Sequence, residues 1–297
     1  MVEPFRIFDV RVRRLERLSP HFLRVTFTGD RLHLFADNGF DQRIKVIFPL
    51  PGIGVATFPR GADWFSVWRS TPSGERHEMR TYTVRAVRPE AGEVDVDFVM
   101  HGDEGPAARW INRAEPGVEA ALFGPQAGYD ERHGGLEFRP PADCGTVLLA
   151  GDETATPAIL TILEGLPAGF TGEALLEVPG PEDFLEVRGS SDVKVTWLAR
   201  GDGAWGSKLQ PAVELAAGRL LVRGDGAESF VDVDVDAEEL WEVPEETLPS
   251  GSVYAWLAGE AAMIRGLRRH LVAERGMDRR AVAFMGYWRM GRAEVTE

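Results

Sequence analysis

The sequence of 297 residues is poor in cysteine and in lysine: it has one cysteine, and three lysines among its 33 basic residues. A single cysteine excludes an internal disulfide, which fits a reducing compartment and predicts a cytoplasmic protein. No apolar run approaches the roughly 18 residues of a membrane-spanning helix, so no membrane span is expected. The net charge of −14 argues against nucleic acid as a partner, because nucleic-acid-binding proteins use basic surfaces.

Motifs of enzymes that catalyse a reaction with side chains or a metal ion alone are also missing. The chain contains no GxSxG, HExxH or CxxC motif, and its six histidines lack the spacing of metal ligands. No nucleophile with a nearby base is recognisable. We therefore predict no catalytic side chain and no metal site, and we expect a bound cofactor to supply the chemistry.

The negative charge is concentrated in one segment. Residues 225–246 contain ten carboxylates and no lysine or arginine, whereas residues 265–292 contain eight arginines and two acids. The acidic segment interrupts the α/β pattern described below, and it is predicted to be a solvated loop. Two alternatives are a docking surface for a basic electron-transfer partner and a cover over the C-terminal arginines.

The first half of the chain shows the alternation of antiparallel strands. Apolar and polar residues alternate in several short runs that turn segments separate, which predicts a β-barrel or a sandwich. These runs are residues 7–12, 23–27, 44–48 and 94–98, and residues 80–88 and 118–123 are two further strand candidates. A helix is predicted to begin at Pro106, and residues 51–78 are predicted to form a loop or hairpin.

The second half changes character after a linker at residues 127–143. Continuous apolar runs, typical of strands buried on both faces of a parallel sheet, alternate with predicted helices at about 153–165, 207–217 and 260–275. The runs are residues 146–150, 174–178, 193–199, 253–258 and 281–284. This α/β pattern is typical of nucleotide-binding domains, which bind ligands beyond the carboxyl ends of their strands.

Two segments of the first half could bind a phosphorylated aromatic cofactor. RTYTVR (80–85) places two guanidiniums, a phenol and hydroxyls on one strand, and arginine forks match phosphate oxygens. In HGDEGPAARW (101–110), a glycine-rich loop opens a helix, where backbone N–H groups bind phosphate well. The alternatives are an edge strand with solvated arginines and an ordinary Gly-Pro helix start.

Three segments of the second half lie where a ligand is expected. AGDETATP (150–157) follows the first parallel strand, although Asp152 or Thr154 could only cap a helix. GDGAWG (201–206) fits the GxGxxG fingerprint, with Asp225 about twenty residues later, or is simply a glycine-rich turn. Arg200 precedes it and favours a 2′-phosphate, hence NADPH. The tail FMGYWRMGR (284–292) could cover a flat cofactor or pack its aromatics on a terminal strand.

Five segments, taken in order, resemble the siderophore-interacting protein family of flavin-dependent ferric-siderophore reductases. They are RTYTVR (80–85), DFVMHGDEGPAARW (97–110), LLAGDETATPAI (148–159), YAWLAGEAAMIRGLRRHL (254–271) and GYWRMGRAE (286–294). This family is similar to ferredoxin reductases. The resemblance implies an antiparallel FAD-binding β-barrel at residues 1–126 and an NAD(P)H-binding domain with a parallel sheet at residues 144–297.

The resemblance also implies a set of FAD-binding residues. These are Arg80, Tyr82, Thr83, Arg85, His101, Gly102, Gly105, Ala107, Trp110, Asp152, Thr154, Tyr287 and Trp288, with Glu153 on the same side as Asp152. The candidates for the nicotinamide nucleotide are Arg200 and Glu260, and those for the siderophore are Lys45, Arg289 and Arg292.

The function implied is reduction of a ferric siderophore by NADPH or NADH through FAD, with release of Fe(II). A flavin suits this task because it accepts a hydride and releases electrons singly. Anionic ferric chelates would be drawn by a local basic patch despite the net charge. Alternatives are a flavin reductase with another acceptor and a siderophore-binding barrel without flavin. Ferredoxin or a deazaflavin could replace the nucleotide as donor, and a monomer is expected.

Overall fold

The computed structural model describes residues 2–100, 102, 105–221, 232–235, 240–244 and 253–291. The chain forms two compact units, one up to Leu136 and the second from Glu137 onward. In the described part of the chain, no helix is long and apolar enough to cross a membrane.

The first unit is a closed antiparallel barrel of six strands. The strands are β1 (Phe5–Arg17), β2 (Phe22–Thr28), β3 (Arg43–Ile47), β4 (Met79–Arg88), β5 (Glu93–Val99) and β6 (Glu119–Pro125). They follow the order β1-β2-β5-β4-β3-β6, and β6 pairs with β1 to close the barrel. Alternation sends side chains such as Phe8, Val10 and Val12 into the core, while their neighbours face outward. The predicted barrel is confirmed.

Two short helices accompany the barrel, α1 (Trp64–Ser70) and α2 (Pro106–Ile111). The prediction of a loop or hairpin for residues 51–78 is wrong at α1. Trp68 of this helix is buried in a cluster on the outer side of the barrel, with Phe58 and Met79. Its indole N–H donates to the carbonyl of His77 over 2.7 Å. Burial of apolar surface therefore stabilises a helix here, although the sequence of this segment shows little helical periodicity.

The second unit contains a six-stranded sheet with helices. Its elements are β7 (Thr146–Gly151), α3 (Thr156–Gly165), β8 (Thr171–Val178), β9 (Lys194–Ala199), α4 (Leu209–Leu220), β10 (Trp241–Glu242), β11 (Tyr254–Glu260), α5 (Ala261–Arg268) and β12 (Val282–Trp288). The order is β10-β12-β11-β7-β8-β9, in which only β10 runs antiparallel to its neighbour. The predicted parallel sheet is confirmed, and its strands are buried as continuous apolar runs.

The predicted linker at residues 127–143 is packed along much of its length. The carbonyls of Gly134 and Gly135 accept hydrogen bonds from the side-chain amide of Gln42 and the backbone of Arg43, next to the barrel. Further along, the hydroxyl of Tyr254 on β11 donates to the carbonyl of Glu137 over 3.1 Å. Each part of the segment thus belongs to the unit that it contacts.

Part of the acidic segment is not a solvated loop: residues Trp241–Glu242 form strand β10, and the prediction is wrong there. Glu242 forms two hydrogen bonds of 2.8 Å with the almost fully buried Arg268, and its strand β10 pairs with β12. Asp232 binds the guanidiniums of Arg265 and Arg269. These hydrogen bonds, that from Arg265 foremost, hold the pKa of Asp232 well below its usual range. The described residues of the segment therefore pair with three C-terminal arginines, of which only Arg268 is buried.

Candidate functional site

In the first unit, strand β4 carries the arginine-rich segment. The ring of Tyr82 packs against Phe98, with centroids 4.3 Å apart, and Thr83 is buried. The guanidinium of Arg80 donates to Glu78 Oε2 over 2.9 Å and to the carbonyl of Met79. Val84, but not Thr83, belongs to the barrel core, so the expected alternation of faces holds up to this point.

A β-bulge sits at Arg85. Val84 pairs with Val96 and Ala86 pairs with Asp95, which leaves Arg85 as the extra residue. Its Nε lies 3.6 Å from Oδ2 of Asp97, a carboxylate that also takes two hydrogen bonds of 2.7 and 2.8 Å from Arg24. Sequence reasoning missed Asp97, although acids alternating with valines on one barrel strand were a usable signal.

The glycine-rich loop and α2 follow β5. Gly105 precedes α2 with φ of 88°, and Gly102 has φ of 48°; a Cβ at either position would meet no atom of the described residues within 4 Å. Asn112 fixes the loop by donating to the carbonyl of Gly102 over 2.9 Å. Ala107 and Trp110 pack against the barrel core, and the Trp110 ring lies 5.3 Å from Phe48. His101 lies outside the described residues.

These features fit a flavin dinucleotide. Among the described residues, the buried indole N–H of Trp110 has no hydrogen-bond partner in the protein. The open space beside Gly102 and Gly105 allows a ligand to approach the backbone closely. The arginines of β4 add positive charge. An unsatisfied donor, glycine backbone and guanidiniums are groups that suit an anionic ligand with polar atoms.

In the second unit, Asp152 lies at the carboxyl end of β7 and is fully buried. One oxygen accepts hydrogen bonds from the backbone and the hydroxyl of Thr154, over 2.9 and 2.5 Å. The other accepts from the backbone of Glu260 and the indole of Trp288, both over 2.8 Å. Burial, reinforced by the neighbouring charge of Glu153, raises the pKa of Asp152 to about 6.

Glu153 and Arg200 form a buried ion pair. The guanidinium donates to both carboxylate oxygens over 2.8 and 2.9 Å, and it lies 3.5 Å from Glu177. The indole of Trp205 donates to Glu153 over 3.1 Å, and Arg200 stacks over its ring at 4.7 Å. Arg200 in this position already has a bidentate partner, which does not favour the predicted role as a phosphate ligand.

The GxGxxG segment forms a glycine-rich turn rather than an open phosphate cradle. Glu177 accepts hydrogen bonds from the backbone N–H groups of Gly206, Lys208 and Leu209 over 2.8–2.9 Å. These are the donors that would face a phosphate at the start of α4. Asp225, the acid expected to complete the fingerprint, lies outside the described residues.

Glu260 ends β11 and caps α5. Its carboxylate accepts from the backbone of Met263 over 2.9 Å and from that of Met290 over 3.3 Å. The preceding residue must be glycine, because Gly259 has φ of 148° and an added Cβ would lie 2.7 Å from Oδ2 of Asp152. The positions of Asp152 and Glu260 therefore depend on each other.

The two aromatic residues of the tail lie in different surroundings. A register shift at the end of β12 makes Tyr287 the extra residue between Gly286 and Trp288. Tyr287 stacks on Trp241 with centroids 5.8 Å apart. Trp288 instead binds Asp152 and meets Trp205 edge to face at 5.2 Å.

The predicted siderophore ligands are distributed over both units. On β3 of the barrel, Lys45 donates to the hydroxyl of Thr81 over 2.8 Å and pairs in register with Phe123 on β6. Arg289 donates to the carbonyl of Val235 over 2.7 Å, in the second unit. Arg292 lies outside the described residues. In the described part of the chain, no group of three or more His, Cys, Asp or Glu residues could hold a metal ion.

Comparison with known families accounts for both units. Residues 11–129 match the siderophore-interacting FAD-binding domain, and residues 145–291 match the siderophore-interacting protein family. The chain belongs to the siderophore-interacting protein family. Its N-terminal unit is thus an FAD-binding domain of this family, as the resemblance implied.

Individual relatives match this chain over almost its whole length. An uncharacterised protein of Mycobacterium tuberculosis is 35% identical over 98% of this chain and 92% of its own length. The ferric vibriobactin reductase of Vibrio cholerae is 30% identical over 95% of this chain and 89% of its own. The crystal structure of the siderophore-interacting protein SipS from Aeromonas hydrophila matches with a TM-score of 0.68 and 28% identity, over 97% and 94% of the two chains.

The fold is also shared outside the family. A ferredoxin reductase of carbazole 1,9a-dioxygenase matches with a TM-score of 0.55 and 14% identity, over 97% of this chain and 71% of its own. At this identity the likeness concerns the fold alone. The expected ferredoxin-reductase-like architecture is confirmed.

Proposed function

We propose that this protein is an FAD-dependent reductase that passes electrons from a reduced nicotinamide nucleotide to a ferric siderophore, with release of Fe(II). The observation that carries the proposal is the match of both units to one family, whose members include a named ferric siderophore reductase of similar length. When bound, FAD supplies the exchange between a two-electron donor and a one-electron acceptor.

The residues of the first unit support FAD binding through a division of tasks. Arg80 and Arg85 would hold the pyrophosphate, with Asp97 orienting Arg85 through its ion pair. The indole N–H of Trp110 would donate to a polar atom of the cofactor, and Gly102 and Gly105 would let it approach the backbone. Tyr82 and Thr83 would contact the flavin itself.

For the ferric siderophore, Lys45 is the best-supported cation. It lies beside Phe123, which contacts Trp64 with ring centroids 4.7 Å apart. A lysine that pairs across two strands with an aromatic residue suits an anionic chelate with flat or apolar parts. Because iron arrives within its chelate, this role needs no protein ligand to the metal.

An absorption spectrum followed by electron transfer tests the proposal. The purified protein is expected to show flavin bands, to be bleached anaerobically by NADH or NADPH, and to produce Fe(II) from a ferric siderophore in the presence of an Fe(II)-specific chelator. A flavoprotein that reduces free FMN or quinone and leaves ferric siderophores intact would be a flavin reductase with another acceptor. A protein without bound flavin that binds the siderophore would be a non-enzymatic carrier.

A further inference from the structure

Four buried carboxylates meet at the carboxyl ends of the parallel strands in the second unit. Asp152, Glu153 and Glu177 are fully buried, and Glu260 is 6% exposed. The guanidinium of Arg200 bonds to two of the four, Glu153 and Glu177. This edge, where α/β sheets receive nucleotides, therefore carries an excess of negative charge shielded from water.

The guanidinium of Arg200 is occupied by carboxylates of the same chain. Its two terminal nitrogens donate to the two oxygens of Glu153, and Nη1 also lies near Glu177. Because an arginine binds phosphate with the same fork of N–H groups, a phosphate would have to displace Glu153. That displacement would leave a buried carboxylate without its cation, which is strongly unfavourable.

The backbone donors near this edge are also taken by carboxylates. Glu177 receives three N–H groups at the start of α4, and Glu260 receives one in the first turn of α5. In the turn before α3, Asp152 receives the N–H of Thr154. Helix starts normally attract phosphate, and here negative side chains already fill that role at α4 and α5.

We infer that this edge selects against a 2′-phosphate, so that the preferred nucleotide of the second unit is NADH rather than NADPH. Glu153 is the specificity-determining residue, because it both occupies Arg200 and contributes negative charge. The selection reverses what Arg200 suggests in the sequence alone. Because it rests on the proposed function for its biological meaning, it is tested first by binding, without iron or turnover.

Two adenosine ligands isolate the 2′-phosphate. Adenosine 5′-monophosphate and adenosine 2′,5′-bisphosphate are titrated by calorimetry into the FAD-loaded wild-type chain. Bringing like charges together costs enough that we expect the bisphosphate to bind about tenfold more weakly or worse. NADH is expected to bleach the bound flavin at about tenfold lower concentration than NADPH. Equal or tighter binding of the bisphosphate, or binding of neither ligand, overturns the inference.

Glu153→Gln tests the residue assigned to the selection. Removing the negative charge releases Arg200, so the preference for the monophosphate is expected to fall by about fivefold or more. The matched control is Glu186→Gln, because Glu186 is exposed and pairs with Arg188 at the surface of the same unit. In the control, the ratio of the dissociation constants of the two adenosine ligands should stay at the wild-type value. An unchanged ratio in a folded Glu153→Gln protein contradicts the assignment.

A second variant covers the case in which Glu153→Gln does not fold. Arg200→Lys keeps the positive charge but loses the bidentate fork. If Arg200 binds only carboxylates of its own chain, this variant keeps its preference for the monophosphate. A selective loss of bisphosphate binding would instead make Arg200 a phosphate ligand and overturn the inference. Failure to reduce ferric siderophores, with the ligand preference intact, would count against the proposed function alone.

Discussion

The indole N–H of Trp288 donates to Oδ2 of Asp152 over 2.8 Å, which joins the end of β12 to the turn after β7. The same oxygen accepts the backbone N–H of Glu260 at the end of β11. One buried carboxylate thus ties three strand ends together. Protonation of Asp152 would replace a charged acceptor by a weaker, neutral one, so the surroundings of Trp288 depend on a titratable group.

The first prediction concerns the pH dependence of Trp288. The pKa of Asp152 is raised to about 6 by burial and by Glu153, so its protonation falls within an accessible range. We expect tryptophan fluorescence to change with a midpoint near pH 6 and Asp152→Asn to abolish this change. Trp288→Phe should remove it as well. Trp197→Phe is the control, because Trp197 stacks on Phe184 at the sheet edge; a titration that survives Trp288→Phe would refute the assignment.

The same group predicts a slope in stability. The usual aspartate value is 3.8, so between pH of about 4 and about 6 the folded chain binds more protons at Asp152 than the unfolded chain. The contribution of Asp152 to the free energy of unfolding therefore decreases as pH rises through this window. Urea denaturation of the wild type and of Asp152→Asn is measured across these pH values. The free energy of unfolding of the wild type should decrease, relative to that of Asp152→Asn, as the pH rises. A constant difference would contradict it.

A further prediction assigns a positioning role to Asp97. Its side chain is fully buried and holds Arg24 and Arg85. Asp97→Asn should lower stability by about 3 kcal/mol, because two guanidiniums lose a buried carboxylate. If Arg85 binds FAD, the dissociation constant of FAD should also rise by about tenfold. Asp30→Asn, at an exposed turn, is the control; unchanged FAD affinity in a folded Asp97→Asn protein would remove the positioning role.

Lys45 is predicted to act on the iron chelate and not on the flavin. Lys45→Ala should raise KM for a ferric siderophore by about tenfold, the size expected for one lost charge interaction. Bleaching of bound flavin by the nucleotide should keep its wild-type rate. Lys194→Ala is the matched control, since Lys194 is an exposed lysine of the second unit. A KM that does not change in Lys45→Ala would move the siderophore site elsewhere.

The acidic segment is predicted to stabilise the second unit. Glu242→Ala would remove a carboxylate that pairs with Arg268, which is 1% exposed. We expect a loss of about 2–3 kcal/mol in the free energy of unfolding, at the lower end for a broken buried pair because Glu242 is partly exposed. Glu186→Ala breaks the exposed pair with Arg188 and should cost well under about 1 kcal/mol. Equal costs would restore the idea of a solvated loop.

The local sequence pattern predicted the helices and strands better than it predicted the orientation of individual side chains. The strand over RTYTVR was predicted, and β4 covers it. The bulge at Arg85 was not, because it arises from the pairing of β4 with β5. In the same way, alternation alone would not reveal that Tyr287 is the extra residue in the pairing of β12 with β11.

The GxGxxG segment shows why a motif can mislead. Its spacing after a strand and before a helix matched a dinucleotide fingerprint, and the structure has both neighbours, β9 and α4. The backbone N–H of Gly206, however, donates to Glu177, which belongs to β8 and lies 29 residues earlier in the chain. No rule about the motif itself would include a residue that far away.

The sequence by itself determined the two-unit architecture, since period-2 alternation, continuous apolar runs and glycine and proline positions are local properties that select a barrel and a parallel sheet. Only the tertiary structure decided which charges meet. Arg200 pairs with Glu153 across 47 residues, and Arg268 pairs with Glu242 across 26. Those pairs depend on strand order and on burial, because burial raises the cost of any unpaired charge. Neither strand order nor burial can be read from the spacing of the residues.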